Sequence, residues 1–186
     1  MNHKIKQPIE LAMFAVILAL TPVLGLAKGG DQGSMPPANE AYISKEVHHQ
    51  LTMLPYYNVF DNLEYRVNGN NVELFGQVTW PTLKSDAGNV VKHIEGVGQV
   101  TNNIEVLPVS PMDWQIRRAE YRAVFGRSDM YRYAMGAIPS IHIIVDNGHV
   151  TLVGVVSSQM DKNIANIQAN SVPGVFSVTN DLQVEG

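Results

Sequence analysis

The sequence predicts an α/β protein of the α+β type, built from two tandem α-β-β-α-β repeats, and three observations carry that prediction. Val72–Val106 aligns without gaps on Val150–Val184 at an offset of 78, with 12 identities in 35 positions; average composition would give roughly two or three by chance. Within each copy the apolar period switches from two, the period of a half-buried strand, to between three and four, the period of an amphipathic helix. Each copy also carries an asparagine–glycine dipeptide between two alternating runs, the signature of a tight hairpin.

The chain opens with Lys4 and Lys6, runs uncharged from Leu11 to Ala27, and closes that stretch with Gly25-Leu26-Ala27. A basic start, an apolar middle and small residues at its end predict a secretory signal peptide over 1–27, cut after Ala27. Seventeen uncharged residues broken by Thr21-Pro22 fall short of the roughly 20 that span a bilayer. The stretch 28–39, rich in glycine, proline and polar residues, has too little apolar surface to offset its ordering and reads as a flexible leader. Ile43, Val47 and Leu51 then recur every four residues and mark the first helix of copy one, which occupies 40–106. Leu63, Tyr65 and Val67 alternate up to Asn68-Gly69, and Val72, Leu74, Gly76 and Val78 alternate after it. A helix follows with Ala87, Val91 and Ile94 on one stripe. Gly96 ends it where a helix C-terminus favours positive φ, and Val100-Thr101-Asn102 open a last strand that closes at Val106.

Leu107–Pro111, LPVSP, reads as a short stiff linker within 107–112, and copy two fills 113–186. Its first helix begins near Asp113 with Ile116, Glu120 and Val124 at the matching places, at an offset of 73, so five extra residues separate helix from strand. Ile141, Ile143 and Val145 precede the Asn147-Gly148 turn, Val150, Leu152, Gly154 and Val156 follow it, and Ala165, Ala169 and Val172 stripe the second helix before Gly174. Val178-Thr179-Asn180 repeats the opening of the last strand, which ends at Val184.

The strings VELFGQV and VTLVGVV, followed by EGVGQVTNNIEV and PGVFSVTNDLQV, resemble the BON domain of osmotically inducible periplasmic proteins and outer-membrane-associated lipoproteins. The resemblance covers about Glu40–Val106 and Asp113–Val184. It implies a small three-stranded sheet covered on one face by two helices in each repeat. It also implies a periplasmic address and a role in binding phospholipid or supporting the envelope under stress. Two departures stand out: Glu120 occupies a place where periodicity and family pattern both put an apolar residue, and the first helix of copy two is rich in arginine. No cysteine exists to carry the lipid that anchors some relatives, so the chain looks like a soluble family member.

A formal net charge of −4 and 16% charged residues give no bulk attraction to nucleic acid. Absence of cysteine excludes disulfides, a thiolate nucleophile and a cysteine-ligated metal. The six histidines show no metal-ligand spacing, and the serines, glycines and carboxylates form no GxSxG, GxGxxG or Walker pattern, so no metal, cofactor or catalytic site is expected. The strongest anomaly is Trp114–Tyr133. It holds Arg117, Arg118, Arg122, Arg127 and Arg132, five of the chain's six arginines, interleaved with Trp114, Tyr121, Phe125, Tyr131 and Tyr133.

Two readings of that segment are open. In one, Ile116, Ala119, Ala123 and Val124 face the core and the arginines form a solvated face paired with Glu120, Asp113 and Asp129. In the other, arginine forks meet phosphate oxygens while tryptophan and tyrosine sit at the wet–apolar boundary of a bilayer. The second makes Trp114, Arg117, Arg118, Tyr121, Arg122, Arg127, Tyr131 and Arg132 the candidate lipid-binding residues. The expectation is therefore a non-enzymatic periplasmic protein whose partner is an anionic phospholipid surface. The alternative is an interaction module, chaperone-like, for envelope proteins, bound through sheet edges or between the repeats.

Overall fold

The structure, a computed structural model, describes residues 40–136 and 138–185; the expected signal peptide and leader, 1–27 and 28–39, lie outside the described residues. Repeat one runs α1 (Glu40–Thr52), β1 (Asn62–Asn68), β2 (Asn71–Val78), α2 (Pro81–Lys92), β3 (Gln99–Asn102) and β4 (Glu105–Val106). Repeat two runs α3 (Pro111–Phe125), a single 3-10 turn (Tyr131–Ala134), β5 (Ile141–Asp146), β6 (His149–Val156), α4 (Gln159–Asn170), β7 (Ser177–Asn180) and β8 (Gln183–Val184). The α-β-β-α-β order expected from the sequence is present twice.

In each repeat the central strand pairs antiparallel with the strand before it and parallel with two short strands after it: β2 with β1, β3 and β4, and β6 with β5, β7 and β8. The paired short strands are one third strand interrupted in its middle. An asparagine bridges each interruption. Asn102 Nδ2 donates to the Lys84 carbonyl at 2.8 Å while its Oδ1 accepts from Ile104 N–H at 3.2 Å. Asn180 does the same with Lys162 and Leu182 at 2.9 and 3.3 Å. The repeated asparagine thus ties the second helix to the sheet and satisfies the N–H of Ile104 or Leu182 at the break.

The helical stripes meet the inward residues of the strands. Ile43, Val47, Leu51, Val72, Leu74, Val78, Leu83, Ala87 and Val91 fill the core of repeat one, and Ile116, Val124, Ile141, Ile143, Leu152, Ala165, Ala169 and Leu182 fill that of repeat two. Gly96 and Gly174 take φ of 87° and 89°, as their helix-ending role requires. The hairpin of repeat two turns through Asn147 and Gly148, both at positive φ. In repeat one the turn is Gly69-Asn70, not Asn68-Gly69: Asn68 pairs with Asn71 as the last rung of the ladder, and only Gly69 takes positive φ. The first helix of repeat two begins at Pro111, two residues before Asp113, with Ser110 as its cap accepting from Asp113 N–H at 3.1 Å. Proline at the first turn and serine before it are the ordinary helix start.

The loop 53–61 of repeat one carries the contact between repeats. Its Val59 carbonyl accepts from Ile143 N–H at 2.7 Å, so it covers part of the outer edge of β5, and Tyr57 stacks on His142 with ring centroids 5.5 Å apart. Asp61, fully buried, holds the loop in shape. One carboxylate oxygen accepts from the backbone and hydroxyl of Thr79 (2.6 and 2.7 Å), the other from the backbone and amide of Asn58 (3.2 and 2.6 Å).

Gly76 and Gly154 lie in the central strands at φ of 106° and 124°, where a Cβ would collide with the carbonyl oxygens of Asn62 and Ser140. The close approach expected at these glycines is made by backbone beside the antiparallel partner strand. Gly76→Val and Gly154→Val combine backbone strain with that collision, and each should destabilise the protein by about 2 kcal/mol or more. Thermal denaturation of the two variants against the parent measures it; a melting temperature within 1–2 °C of the parent for either would contradict this packing.

Candidate functional site

Trp114, Arg118, Tyr121 and Arg122 stand at spacings of four, seven and eight along α3, which places them on one side of a helix with 3.6 residues per turn. All four are exposed. Phe60, from the loop of repeat one, packs T-shaped with both rings: its centroid lies 5.8 Å from Trp114 and 6.4 Å from Tyr121, and Tyr121 lies 5.0 Å from Phe125. The result is an aromatic stripe bordered by two guanidinium groups, with a shallow groove of about 310 Å³ between Val59, Phe60, Arg118, Tyr121 and Arg122. Neither Arg118 nor Arg122 makes an ion pair among the described residues.

The other residues expected on this face stand elsewhere. Arg117 points inward and is 4% exposed; it donates to the Val145 carbonyl at 2.6 Å, leaving its Nε buried without a partner. Desolvation pulls its pKa below the ordinary guanidinium value, opposed by the carboxylates of Asp113, Asp61 and Asp146. It is an internal tie between α3 and β5 and offers nothing to a surface. The helix also ends at Phe125, so the segment 114–133 is not continuous helix. Arg127 forks onto Asp129 with two bonds of 3.1 Å, and Tyr131 is exposed in the 3-10 turn. Arg132 pairs with Asp161 at 2.8 Å and lies 4.8 Å from the centre of the Tyr133 ring. Of the expected pairings with acids, only Arg127–Asp129 forms. Asp113 instead accepts from the backbone of Asn147 and Gly148 at 3.0 and 2.8 Å, fastening the hairpin turn to the start of α3.

Glu120 is fully buried, and both of its carboxylate oxygens lack a hydrogen-bond partner. Burial alone pushes its pKa up to about 8. His142, buried against Tyr57, is shifted down by burial, and Tyr57 is pushed up to about 12 for the same reason. Phe60, Asp61 and His142 were not marked by the sequence as parts of this region. They come from a loop and a strand remote from α3, and only Glu120 broke an expected pattern.

No group of three or more histidine or acidic side chains stands placed to hold a metal ion among the described residues, and no described helix is long and apolar enough to cross a membrane. The BON domain family model matches residues 39–108 and 133–186, which is most of the chain, so the protein belongs to the BON-domain family. The second match starts inside the 3-10 turn and leaves α3 out. No curated protein matches. Two solved structures of CdsD, a structural protein of the type III secretion system of Chlamydia trachomatis, are similar. One, its C-terminal domain, is 12% identical, covers 76% of this chain and 96% of its own, and has a TM-score of 0.32. The other is 13% identical, with coverages of 77% and 92% and a TM-score of 0.30.

Because Phe60 props Trp114 from another repeat, Phe60→Ala should free the indole without unfolding α3, at a stability loss of about 1 kcal/mol. In a Trp80→Phe background, which leaves Trp114 as the one tryptophan, its fluorescence should move to longer wavelength while circular dichroism is unchanged. An unmoved emission would mean that Phe60 does not shield the ring.

Proposed function

We propose that this protein is a non-enzymatic envelope protein that binds anionic phospholipid at a periplasmic membrane surface, through the outer face of α3, and so supports envelope integrity. The observation that carries the reading is the cluster of Trp114, Tyr121 and Phe60, packed edge to face, flanked by Arg118 and Arg122, which make no ion pair among the described residues. Aromatic rings with an apolar body and a polar edge favour the headgroup layer, and guanidinium groups meet phosphate oxygens bidentately. A chain of net charge −4 gains this attraction only where its cations are gathered, and α3 sets two of them, Arg118 and Arg122, on one exposed side. Membership in the BON-domain family agrees with an envelope role. The periplasmic address rests on the signal-like opening of the sequence.

Arg118→Glu with Arg122→Glu replaces two favourable charges by two repulsive ones. At about 1 kcal/mol per basic residue near an anionic surface, binding to phosphatidylglycerol vesicles at low salt should weaken well over tenfold in co-sedimentation. Lys84→Glu with Lys92→Glu, in repeat one, should leave it within twofold. Equal losses in the two double mutants would mean diffuse electrostatics, and no binding by the parent would turn the reading toward a protein partner.

The address is tested separately. N-terminal sequencing of the protein from a periplasmic extract should begin at Lys28, since small residues at 25 and 27 suit the peptidase; an intact Met1–Ala27 in the membrane fraction would overturn it.

A further inference from the structure

Along the central row of the docking face, α3 differs from α1 at one position. Ile43, Val47 and Leu51 dock α1, while Ile116, Glu120 and Val124 dock α3, so a carboxyl replaces the central aliphatic. Neither Glu120 oxygen has a partner, and neither is reached by water. A carboxyl in that position is tolerated as the neutral acid and strongly disfavoured as the anion. The helix that carries it is tied to the repeat by Asp113 and Arg117 in its first two turns, but the chain on either side of it is exposed. The helix is entered through Pro108-Val109-Ser110, with Val109 99% exposed, and left through the exposed Gly126, Arg127 and Ser128.

We propose that α3 is a proton-operated latch: with Glu120 protonated the helix stays docked against β5 and α4, and with Glu120 ionised it lifts locally from the repeat. What the latch controls rests on the membrane reading above, because lifting α3 separates Trp114 and Tyr121 from Phe60 and disperses the face. The other buried titratable groups on α3, and those on α4 and β5 packed against it, have partners of their own. Arg117 bonds Val145 and Asp113 the 147–148 turn; on α4, Asp161 holds Ser158, Tyr133 and Arg132, and Lys162 bonds the Leu182 carbonyl. On β5, Asp146 accepts from the Asn147 side chain, and His142 stacks on Tyr57; Asp61 is held by Asn58 and Thr79. None of them bonds Glu120.

The sign follows from linkage. A lifted helix exposes Glu120 to water, where it ionises in the ordinary carboxylate range, whereas the docked helix holds the proton up to about 8. Opening therefore grows easier with rising pH between those limits, by at most about tenfold per pH unit, and levels off above them.

Hydrogen–deuterium exchange of the full chain without lipid, at pH 5.5 and 7.5 and corrected for intrinsic exchange, reads the opening directly. In the parent, opening of α3 amides should rise at least tenfold, with β6 amides changing much less. In Glu120→Gln, and in Glu120→Leu should the glutamine variant misfold, the α3 rise should vanish. Histidine titration is common to parent and variants, so it cancels in the comparison. An α3 response the same in parent and variant overturns the latch, and so does a rise of equal size in β6, which would be global unfolding. Co-sedimentation with phosphatidylglycerol vesicles at the same two pH values tests the membrane reading apart from this: a parent that shows the pH-dependent opening yet binds at neither pH keeps the latch and loses the membrane.

Discussion

The hydrogen bond from Ile143 N–H to the Val59 carbonyl, at 2.7 Å, decides how the two repeats act on one another. A three-stranded sheet with helices on one face leaves its first strand with an unpaired edge, and such an edge is a site for unwanted pairing. In repeat two that edge is β5, and part of it is taken by a loop of repeat one. The consequence is visible in β5 itself, whose residues from Ile141 to Val145 are all buried, against the alternating pattern of β1. Val59 joins the apolar core of repeat two. The same loop delivers Phe60 to the rings of α3, so the candidate face is composed from both repeats even though the arginines belong to one.

That loop depends on a buried carboxylate for its shape. Asp61 receives four hydrogen bonds from Asn58 and Thr79 and so compensates its burial, whereas Glu120 receives none. The contrast shows why the direction of a pKa shift is not a role. Burial raises both groups, but the raised pKa of Asp61 is opposed by donors that favour the anion, and that of Glu120 is opposed by nothing. One carboxyl is a structural acceptor; the other is a charge that the fold accommodates only when it is absent.

Much of the scaffold was legible because the repeat states each constraint twice. Glycine at 76 and 154, asparagine at 102 and 180 and the glycine–valine steps recur where backbone geometry demands them, and the structure gives each pair one explanation. The misplaced turn in repeat one carried its own warning. The two asparagine–glycine dipeptides lie 79 residues apart while the repeat runs at 78, so they cannot occupy the same turn position. The face on α3 was half legible. Trp114, Arg118, Tyr121 and Arg122 follow from helical spacing, and the same spacing sets Arg117 only about 20° from Val124 around the axis, within the buried arc. Phe60 was beyond reach, since a loop residue from another repeat leaves no periodic signal.

The family match is narrower than the structural repeat, which includes α3. The matched spans hold the strands, the second helices and the first helix of repeat one, and they omit α3. Residues that satisfy the fold's own demands are those that both repeats share, so a function carried by shared residues would be present twice. The two inner faces of α1 and α3 show what freedom remains: one is wholly aliphatic, the other carries Asp113, Arg117 and Glu120, all buried. A helix selected for docking alone would gain about 2 kcal/mol by placing an aliphatic side chain at 120. That α3 forgoes this, while bearing Trp114, Arg118, Tyr121 and Arg122 on its outer side, sets it apart as the element shaped by something other than the stability of the repeat.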